Sequence, residues 1–498
     1  MNHIIIKNNQ RIPFSSIPIL EYEIFITHNT ELVKNTANHC VNYFGHRTSK
    51  KITLICCIAN DENHEIYISS CVVDETFTLA SFTAISFVFE KFEREIHEKF
   101  GINYCDHPWL KPVRFPFNKF KKNQTVADYP FFKMDSEETH EVGVGPIHAG
   151  VIEPGHFRFL CNGEQILHLE IQLGFQHRGI EHLFLEKKKL LQRATLAESI
   201  AGDTVVGHTT AFVNLWENLC DYKADEDLQF SKTLALELER IAIHTGDLSA
   251  MCTDIAYQLG SSVLGRLRTP ILNYFQTWCG NRLAKGLIRA GKNNYPFTKE
   301  LGIELIKVLD AYEPDFEEIC KMLFHLPTAI GRFEKTGEVK KEQLLAIGTV
   351  GMSARMNGIN RDIRLSHPHD LYKQFEHDPI IKNHGDVFSR AQIRREEIRQ
   401  SIKYIRKMLE NIPEENIKRQ ALSNPLSDSF AISLVEGWRG EICHCAITGE
   451  NGILLEYKIK DPSFHNWLAL ALAVRNNEIS DFPICNKSFD LSYCGHDL

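Results

Sequence analysis

The sequence contains no Cys-x-x-Cys pair and no His-Glu-x-x-His. Its 14 cysteines and 23 histidines are scattered along the chain. The first absence removes zinc ribbons and grouped iron–sulfur ligands, which need thiolates at short fixed spacings. The second removes the commonest helical zinc-protease pattern. Cys443-His-Cys445 and Cys494-Gly-His496 come nearest to a metal set, and each falls short of four ligands. A secreted disulfide framework does not fit cysteines this sparse in 498 residues, so reduced, mostly buried thiols are expected. Long hydrophobic runs are also missing. The longest uncharged, largely apolar stretch, Thr76 to Phe89, is shorter than the roughly 20 residues that cross a bilayer. No charged start precedes an apolar leader at Met1-Asn-His-Ile, so a cytoplasmic location is expected, with attachment to a membrane complex left open. Positive charge is not in excess: 56 basic residues face 64 acidic ones, which argues against a nucleic-acid partner. Internal repeats and low-complexity tracts are absent.

What is present is an ordinary globular composition, 43% apolar and 24% charged, able to bury a large core. The length suggests roughly two to four domains. Ile52–Ile58 and Glu65–Val73 are β-branched or apolar runs separated by Asn60-Asp-Glu-Asn63, a strand–turn–strand pattern. Ile85, Val88, Phe89, Phe92, Ile96 and Phe100 share one helical face that Gly101 should terminate. Strand-like alternation follows from Val144 to Leu173. Helical spacing then dominates to about residue 410: one helix near Ala194–Leu219, one near Phe230–Met251, one over Val387–Leu409. Strands return at Ile442–Thr448 and Ile453–Ile459, before a short helix over Trp467–Val474 and an irregular tail.

Three stretches carry candidate chemistry. Between residues 111 and 133, Lys111, Arg114, Lys119, Lys121 and Lys122 interleave with Phe115, Phe117 and Phe120. Such a pattern can grip nucleic acid; the acidic chain and the prolines at 112 and 116 favour a connector laying aromatics on its neighbour. The stretch from Gly145 to Phe159 places His148, Glu153 and His156 on a turn between strands, where a carboxylate or imidazole can move protons. Glu237, Arg240, His244 and Asp247 form a charged stripe on one helix, normally a solvated or salt-bridged face.

These motifs resemble a known family. Glu93-Arg-Glu-Ile-His-Glu-Lys-Phe-Gly101 followed by His107-Pro-Trp-Leu110 resembles the 30-kDa subunit of respiratory complex I. Gly145-Pro-Ile-His148, Ile152-Glu-Pro-Gly-His156-Phe-Arg158 and His177-Arg-Gly-Ile-Glu181 resemble the 49-kDa subunit, and still more the large subunit of group 4 nickel–iron hydrogenases. So do Leu236-Glu-Leu-Glu-Arg-Ile-Ala-Ile-His244-Thr-Gly-Asp247, the stretch 348–364 with Arg355, Arg361 and Asp362, Gly385-Asp-Val-Phe388, and Val435-Glu-Gly-Trp-Arg-Gly-Glu441. The order matches the fused large subunit of formate hydrogenlyase and hydrogenase-4. The resemblance implies an α+β fold: a small αβ domain over residues 1–125, with the basic, aromatic linker at its end, and a mainly helical domain with β-hairpins over 140–498.

The departures decide the expected function. The family's first thiolate pair, written Cys-x-x-Cys-x-x-x-His, would precede His208, where this chain reads Ala201-Gly-Asp-Thr204-Val-Val-Gly-His208. The second would lie in Leu491-Ser-Tyr-Cys494-Gly-His-Asp497-Leu498, which keeps at most Cys494. One thiolate cannot hold a nickel–iron centre, which needs bridging sulfur. No tyrosine between Gln192 and Phe212 reproduces the quinone-facing tyrosine of complex I, and the turn keeps the hydrogenase form Glu153-Pro-Gly-His156. By resemblance Glu153 matches a proton-transfer glutamate and Arg439 the arginine over the metal site. Glu153, His148, His156, Asp203, His208, Arg439, Cys494, His496 and Asp497 are then expected to meet in one polar cavity. It could relay protons or face a quinone-like acceptor; equally, its members could satisfy one another as an inert buried network. The resemblance implies no metal and no cluster on this chain. It implies an iron–sulfur small subunit, a ferredoxin-like subunit and membrane antiporter-like subunits as partners, with the assembly on the inner face of the membrane. A non-catalytic scaffold is the rival reading, and an active hydrogenase the least supported.

Overall fold

The computed structural model describes residues 2–74, 78–114, 126–134, 136–148 and 152–498. Of the basic, aromatic connector, Lys119, Lys121, Lys122, Phe115, Phe117 and Phe120 lie outside the described residues. The two basic residues within them already have partners. Lys111 pairs with Glu170, and Arg114 pairs with Glu95 and donates to the carbonyl of His496 at 2.7 Å.

Helices take 46% of the chain and strands 20%, in several small sheets, which makes the fold α+β. The N-terminal sheet is built on Asn38–Thr48, Lys51–Asn60 and Glu65–Asp74, joined antiparallel, with Ile4–Ile6 and the parallel Ile19–Leu20 beside the last of these. Strand periodicity sorts Lys51–Asn60 into two faces. Leu54, Cys56 and Ile58 meet Phe25, Phe82, Phe89, Phe92 and Ile96 under the helices Tyr22–Leu32 and Glu90–Phe100. Ile55, Cys57 and Ala59 meet Phe430, Ile432, Leu434, Cys443 and Cys445 of a second sheet. Because both faces are covered, the strand reads as an unbroken apolar run. The Glu90–Phe100 helix stops at Gly101, whose φ of 78° is left-handed.

The second sheet consists of Ser429–Gly437, Gly440–Thr448 and Leu454–Lys460, antiparallel, with Arg11–Pro13 pairing to Ser429–Ala431 as a fourth strand. The first residues of the chain thus complete a sheet of the C-terminal half. A three-stranded sheet, His140–Val144, His156–Asn162 and Gln165–Gln172, carries the 145–156 turn. Between the sheets, the helix Glu226–Asp254 packs on Val205–Leu219, Gln258–Cys279 and Val387–Leu409.

Four sequence expectations need correction. The helical face expected from Ile85 to Phe100 is broken at the extended Ser86, so Phe82–Ile85 and Glu90–Phe100 are separate helices and Ile85 is exposed. The helix expected over 194–219 is two, Leu190–Ala197 and Val205–Leu219, because the intervening turn is drawn to Arg439. The tail is not irregular: Phe482–Phe489 and Tyr493–Asp497 are helices, with Ser492 capping the second by accepting from the Gly495 amide at 2.9 Å. The helix expected from Trp467 starts at Ser463.

The charged stripe is the largest surprise. Glu237, Arg240 and His244 are wholly buried and Asp247 nearly so. His244 meets Glu397 at 2.7 Å, Arg355 and Arg364 reach Glu397 at 2.8 and 3.0 Å, and Arg364 also grips Asp362 at 2.7 Å. Asp247 takes Arg394 at 2.8 Å. Arg240 donates to the carbonyls of Glu436 and Gly437 at 2.8 and 3.1 Å, fixing the hairpin turn that carries Trp438 and Arg439.

That turn is seated backbone to backbone. Gly440 has φ +133°, and a Cβ placed there would lie 2.6 Å from Cα of Gly351. Gly440→Ala is therefore expected to cost about 2–4 kcal/mol, from strain and overpacking together. An unfolding free energy from urea titration unchanged within about 0.5 kcal/mol would show that the turn is not held this way.

Candidate functional site

The site is built where the 198–204 turn, the 438–439 hairpin, the 145–156 turn and the C-terminal helix approach one another. Arg439 leaves the hairpin and forks onto Asp203, with Nη1–Oδ1 2.7 Å and Nη2–Oδ2 2.6 Å. Its guanidinium lies 3.9 Å over the Trp438 ring and also donates to the carbonyl of Asp490. The Trp438 indole N–H donates to the carbonyl of Asp203 at 2.9 Å. The arginine is buried, while the Asp203 side chain is 39% exposed.

Beneath this pair, Glu239 accepts from the amides of Val206 and Gly207 at 2.7 and 3.1 Å. It closes the N-terminus of the Val205–Leu219 helix, a natural place for a carboxylate. Burial nevertheless pushes its pKa up to about 8, with the neighbouring Asp203 charge adding to the rise.

Deeper on the same helix, His208 sits wholly buried between Asp461 (Nε2–Oδ2 3.0 Å) and His444 (Nδ1–Nε2 3.1 Å). His444 continues to the Tyr457 hydroxyl at 2.7 Å. Burial and His208 hold the His444 pKa well below its ordinary value, so it is a neutral ring. Asp461 lies against the C-terminal turn: a Cβ on Gly495 would meet its Oδ2 at 2.6 Å.

On the outer side, Glu153 accepts from the Cys494 amide at 3.0 Å. The Cys494 thiol is buried, 3.5 Å from the Ser492 hydroxyl. Burial first, then the Glu153 carboxylate, push its pKa up to about 12, so it is a thiol at neutral pH. His148 stacks on Phe157 and approaches the Tyr493 hydroxyl at 3.4 Å; burial lowers its pKa.

The expected residues are therefore brought together only in part. Glu153, Cys494 and His148 line one side, Asp203 and Arg439 another, and His208 stands behind them with Asp461. His156 turns back to its own hairpin, its Nδ1 3.0 Å from the carbonyl of Gly145. His496 and Asp497 turn elsewhere: His496 meets Lys91 of the N-terminal domain, and Asp497 accepts from the amides of Gly174 and Gln176. Helical geometry accounts for His496, since a residue two beyond Cys494 points about 200° away from it. Sequence reasoning missed Asp461, His444, Tyr457 and Glu239. Glu239 lies inside a quoted motif and His444 inside the Cys443-His-Cys445 stretch noted only for metal; Asp461 and Tyr457 carry no local signal.

The donor set does not fit a nickel–iron group. Ala201 and Thr204 offer no sulfur, which leaves Cys494 as a lone thiol, and no three His, Cys, Asp or Glu among the described residues are grouped as metal ligands.

Comparison with known proteins agrees with this architecture. Residues 254–429 match the family described as the 49 Kd subunit of respiratory-chain NADH dehydrogenase. Hydrogenase-4 component G of Escherichia coli is 27% identical over 365 residues, covering 73% of this chain and 63% of that protein. Formate hydrogenlyase subunit 5 of the same organism is 26% identical over 419 residues, covering 80% and 74%. An NADH-quinone oxidoreductase subunit of Dehalococcoides mccartyi is 26% identical over 358 residues, covering 71% and 97%. This chain thus spans less than two thirds of the length of hydrogenase-4 component G.

Glu239 gives a pH prediction. Its folded pKa of about 8 lies above the ordinary carboxyl value of 4.5. The stability it contributes is full below the unfolded pKa and is lost as pH rises through the folded one, with a slope approaching about 1.4 kcal/mol per pH unit. In Glu239→Gln, stability measured between about pH 5 and 8 should fall less steeply with pH than in the wild type. Parallel curves would show that Glu239 is ionised in the fold.

Proposed function

We propose that the chain is a relative of complex I 49-kDa subunits and group 4 hydrogenase large subunits, the proteins it is similar to, and that it serves as a peripheral-arm subunit of a membrane-bound, ion-translocating oxidoreductase complex. In this reading it forms a proton-relay or electron-acceptor cavity without a nickel–iron centre. Its partners are an iron–sulfur small subunit, a ferredoxin-like subunit and membrane antiporter-like subunits, and the assembly sits on the inner face of the membrane. Among the described residues no helix is long and apolar enough to cross a membrane, which suits attachment through partners.

The observation that carries the proposal is the Arg439–Asp203 fork, formed beside the segment where the resemblance would put the first thiolate pair. A buried guanidinium needs a counter-charge. With thiolates missing, Asp203 supplies it, and the cavity is left polar and proton-bearing. A quinone-like acceptor, when bound, would supply a carbonyl that takes up electrons and protons. The chain's own part is to hold Glu153 at the outer wall, where its carboxylate is fixed by the Cys494 amide and can exchange a proton, and to present Arg439 as a fixed positive charge. The rival reading, a non-catalytic scaffold, rests on the same residues being mutually satisfied.

Glu153→Gln separates the two, because the amide oxygen still accepts from the Cys494 N–H. A proton role predicts that turnover of the assembled complex falls about a hundredfold with normal assembly; unchanged turnover supports the scaffold. Metal and quinone analysis of the complex, purified through a tag on this chain, should give iron without nickel and a quinone-dependent signal. Stoichiometric nickel would overturn the proposal.

A further inference from the structure

Among the described residues Lys91, at the junction of the two halves of the chain, has no carboxylate within ion-pair distance. It lies on the Glu90–Phe100 helix, partly buried, and among the described residues its ammonium has one hydrogen-bond partner: Nε2 of His496, at 3.3 Å. His496 is buried, and its Nδ1 is 2.8 Å from Oδ1 of Asp497. Asp497 is itself held by the amides of Gly174 and Gln176, both at 2.9 Å. Two small cavities meet at Lys91. One, of about 40 Å³, is walled by Trp109, Tyr129, Trp467 and His496; the other lies beside His465. The first has room for ordered water.

We propose that Lys91, His496 and Asp497 form a proton-exchanging triad that connects the water-sized cavity at the domain junction with the C-terminal helix lining the proposed site. This deepens the proposed function and rests on it. In the step, the Lys91 ammonium gives a proton to Nε2 of His496 while Nδ1–H passes its proton to Oδ1 of Asp497. The lysine ends neutral, the imidazole unchanged in charge, and the carboxylate neutral, so charge balances without a co-reactant. The reverse step returns the proton from Oδ1 of Asp497 through the imidazole to the lysine; in net relay, water in the cavity re-protonates the lysine and Asp497 releases its proton on the far side.

The surroundings favour exchange. Facing Lys91 are Glu90 and Arg94 of its own helix, Arg114 of the following segment, His465, and the pair His496 and Asp497. Burial, with Arg94 and Arg114 adding to it, brings the Lys91 pKa down to about 7, against the pull of Glu90 and Asp497. Burial raises Asp497 to about 6. Donor and final acceptor are thus nearly matched, the condition for easy transfer in either direction.

The test has two arms. In the full chain labelled with [ε-13C]lysine, the signal lost in Lys91→Arg should titrate near neutral pH in the wild type, and His496→Asn should move that midpoint by about one unit. Lys91→Met serves for assignment if the arginine variant does not fold. A Lys91 midpoint near the ordinary value of about 10.4, or one unmoved by His496→Asn, overturns the triad. In the complex, Lys91→Met should lower turnover about tenfold to a hundredfold and change the shape of its pH profile; a fall with the profile unchanged also overturns it. Should the wild-type complex show nickel-dependent turnover, or no oxidoreductase turnover, the proposed function fails, while the titration still decides the triad.

Discussion

The fold is organised around a buried ionic lattice. Arg240, Arg355 and Arg364 lie out of water with Glu237, Asp362, Glu397 and Glu436. Removing such charges from solvent costs several kcal/mol each unless their signs match and their hydrogen bonds are made. Three cations against four acids would not match. Burial and the neighbouring Asp362 resolve this by raising Glu436 to about 8, so it keeps its proton at neutral pH. Burial lowers His244 to about 4, so it adds no charge. What remains is three guanidiniums and three carboxylates. This balance constrains three elements at once: Glu226–Asp254, Val387–Leu409 and the hairpin beginning at Ser429 can only meet in the register that pairs them. The position of Arg439 follows, because Arg240 holds the two carbonyls preceding the Trp438–Arg439 turn.

Much of the fold was legible in the sequence because periodicity is a local property. The helix Val387–Leu409 was bounded correctly by its apolar spacing; in the fold Asp386 caps it, its side chain accepting from the Ser389 amide. Glu65–Asp74 runs one residue past its expected end, and Leu454–Lys460 is displaced by one residue at both ends. Periodicity shows which residues share a face, but not what covers that face. The Glu237–Arg240–His244–Asp247 stripe looked solvent-facing because its partners, Glu397, Arg364 and Arg394, stand more than a hundred residues away. The strand Asn38–Thr48 escaped notice for a related reason. It mixes Asn38, His39, Asn42 and His46 with apolar residues, and those polar groups are buried by distant partners such as Glu441, which His39 meets at 2.6 Å.

The candidate site was legible as an ordered set of motifs but not as a geometry. The motifs named Glu153, Asp203, His208 and Arg439, and these do lie around one region. Reading the tail as irregular concealed that residues 494 and 496 sit on one short helix, and so must look in opposite directions. Cys494 then belongs to the outer wall with Glu153, and His496 to the domain junction with Lys91. The junction itself was invisible in the sequence, because nothing local ties Lys91 to a histidine some four hundred residues later.

The two sides of that helix place different demands on the same backbone. Its first amides are occupied by Glu153 and Ser492, while Asp497 is pinned by the 174–176 segment. The helix cannot rotate without breaking both sets, so changes of charge on either side must be met by movement elsewhere. Arg439 is a poor candidate, being clamped by Trp438 and the carbonyl of Asp490. Asp203 is the better one. It is the exposed member of its ion pair, it sits on a turn rather than within a helix, and an exposed carboxylate recovers much of its solvation when it leaves its partner. On the proposed function, a site that accepts charge near the fixed Arg439 guanidinium has Asp203 as its movable counter-ion, placed in the break between two helices.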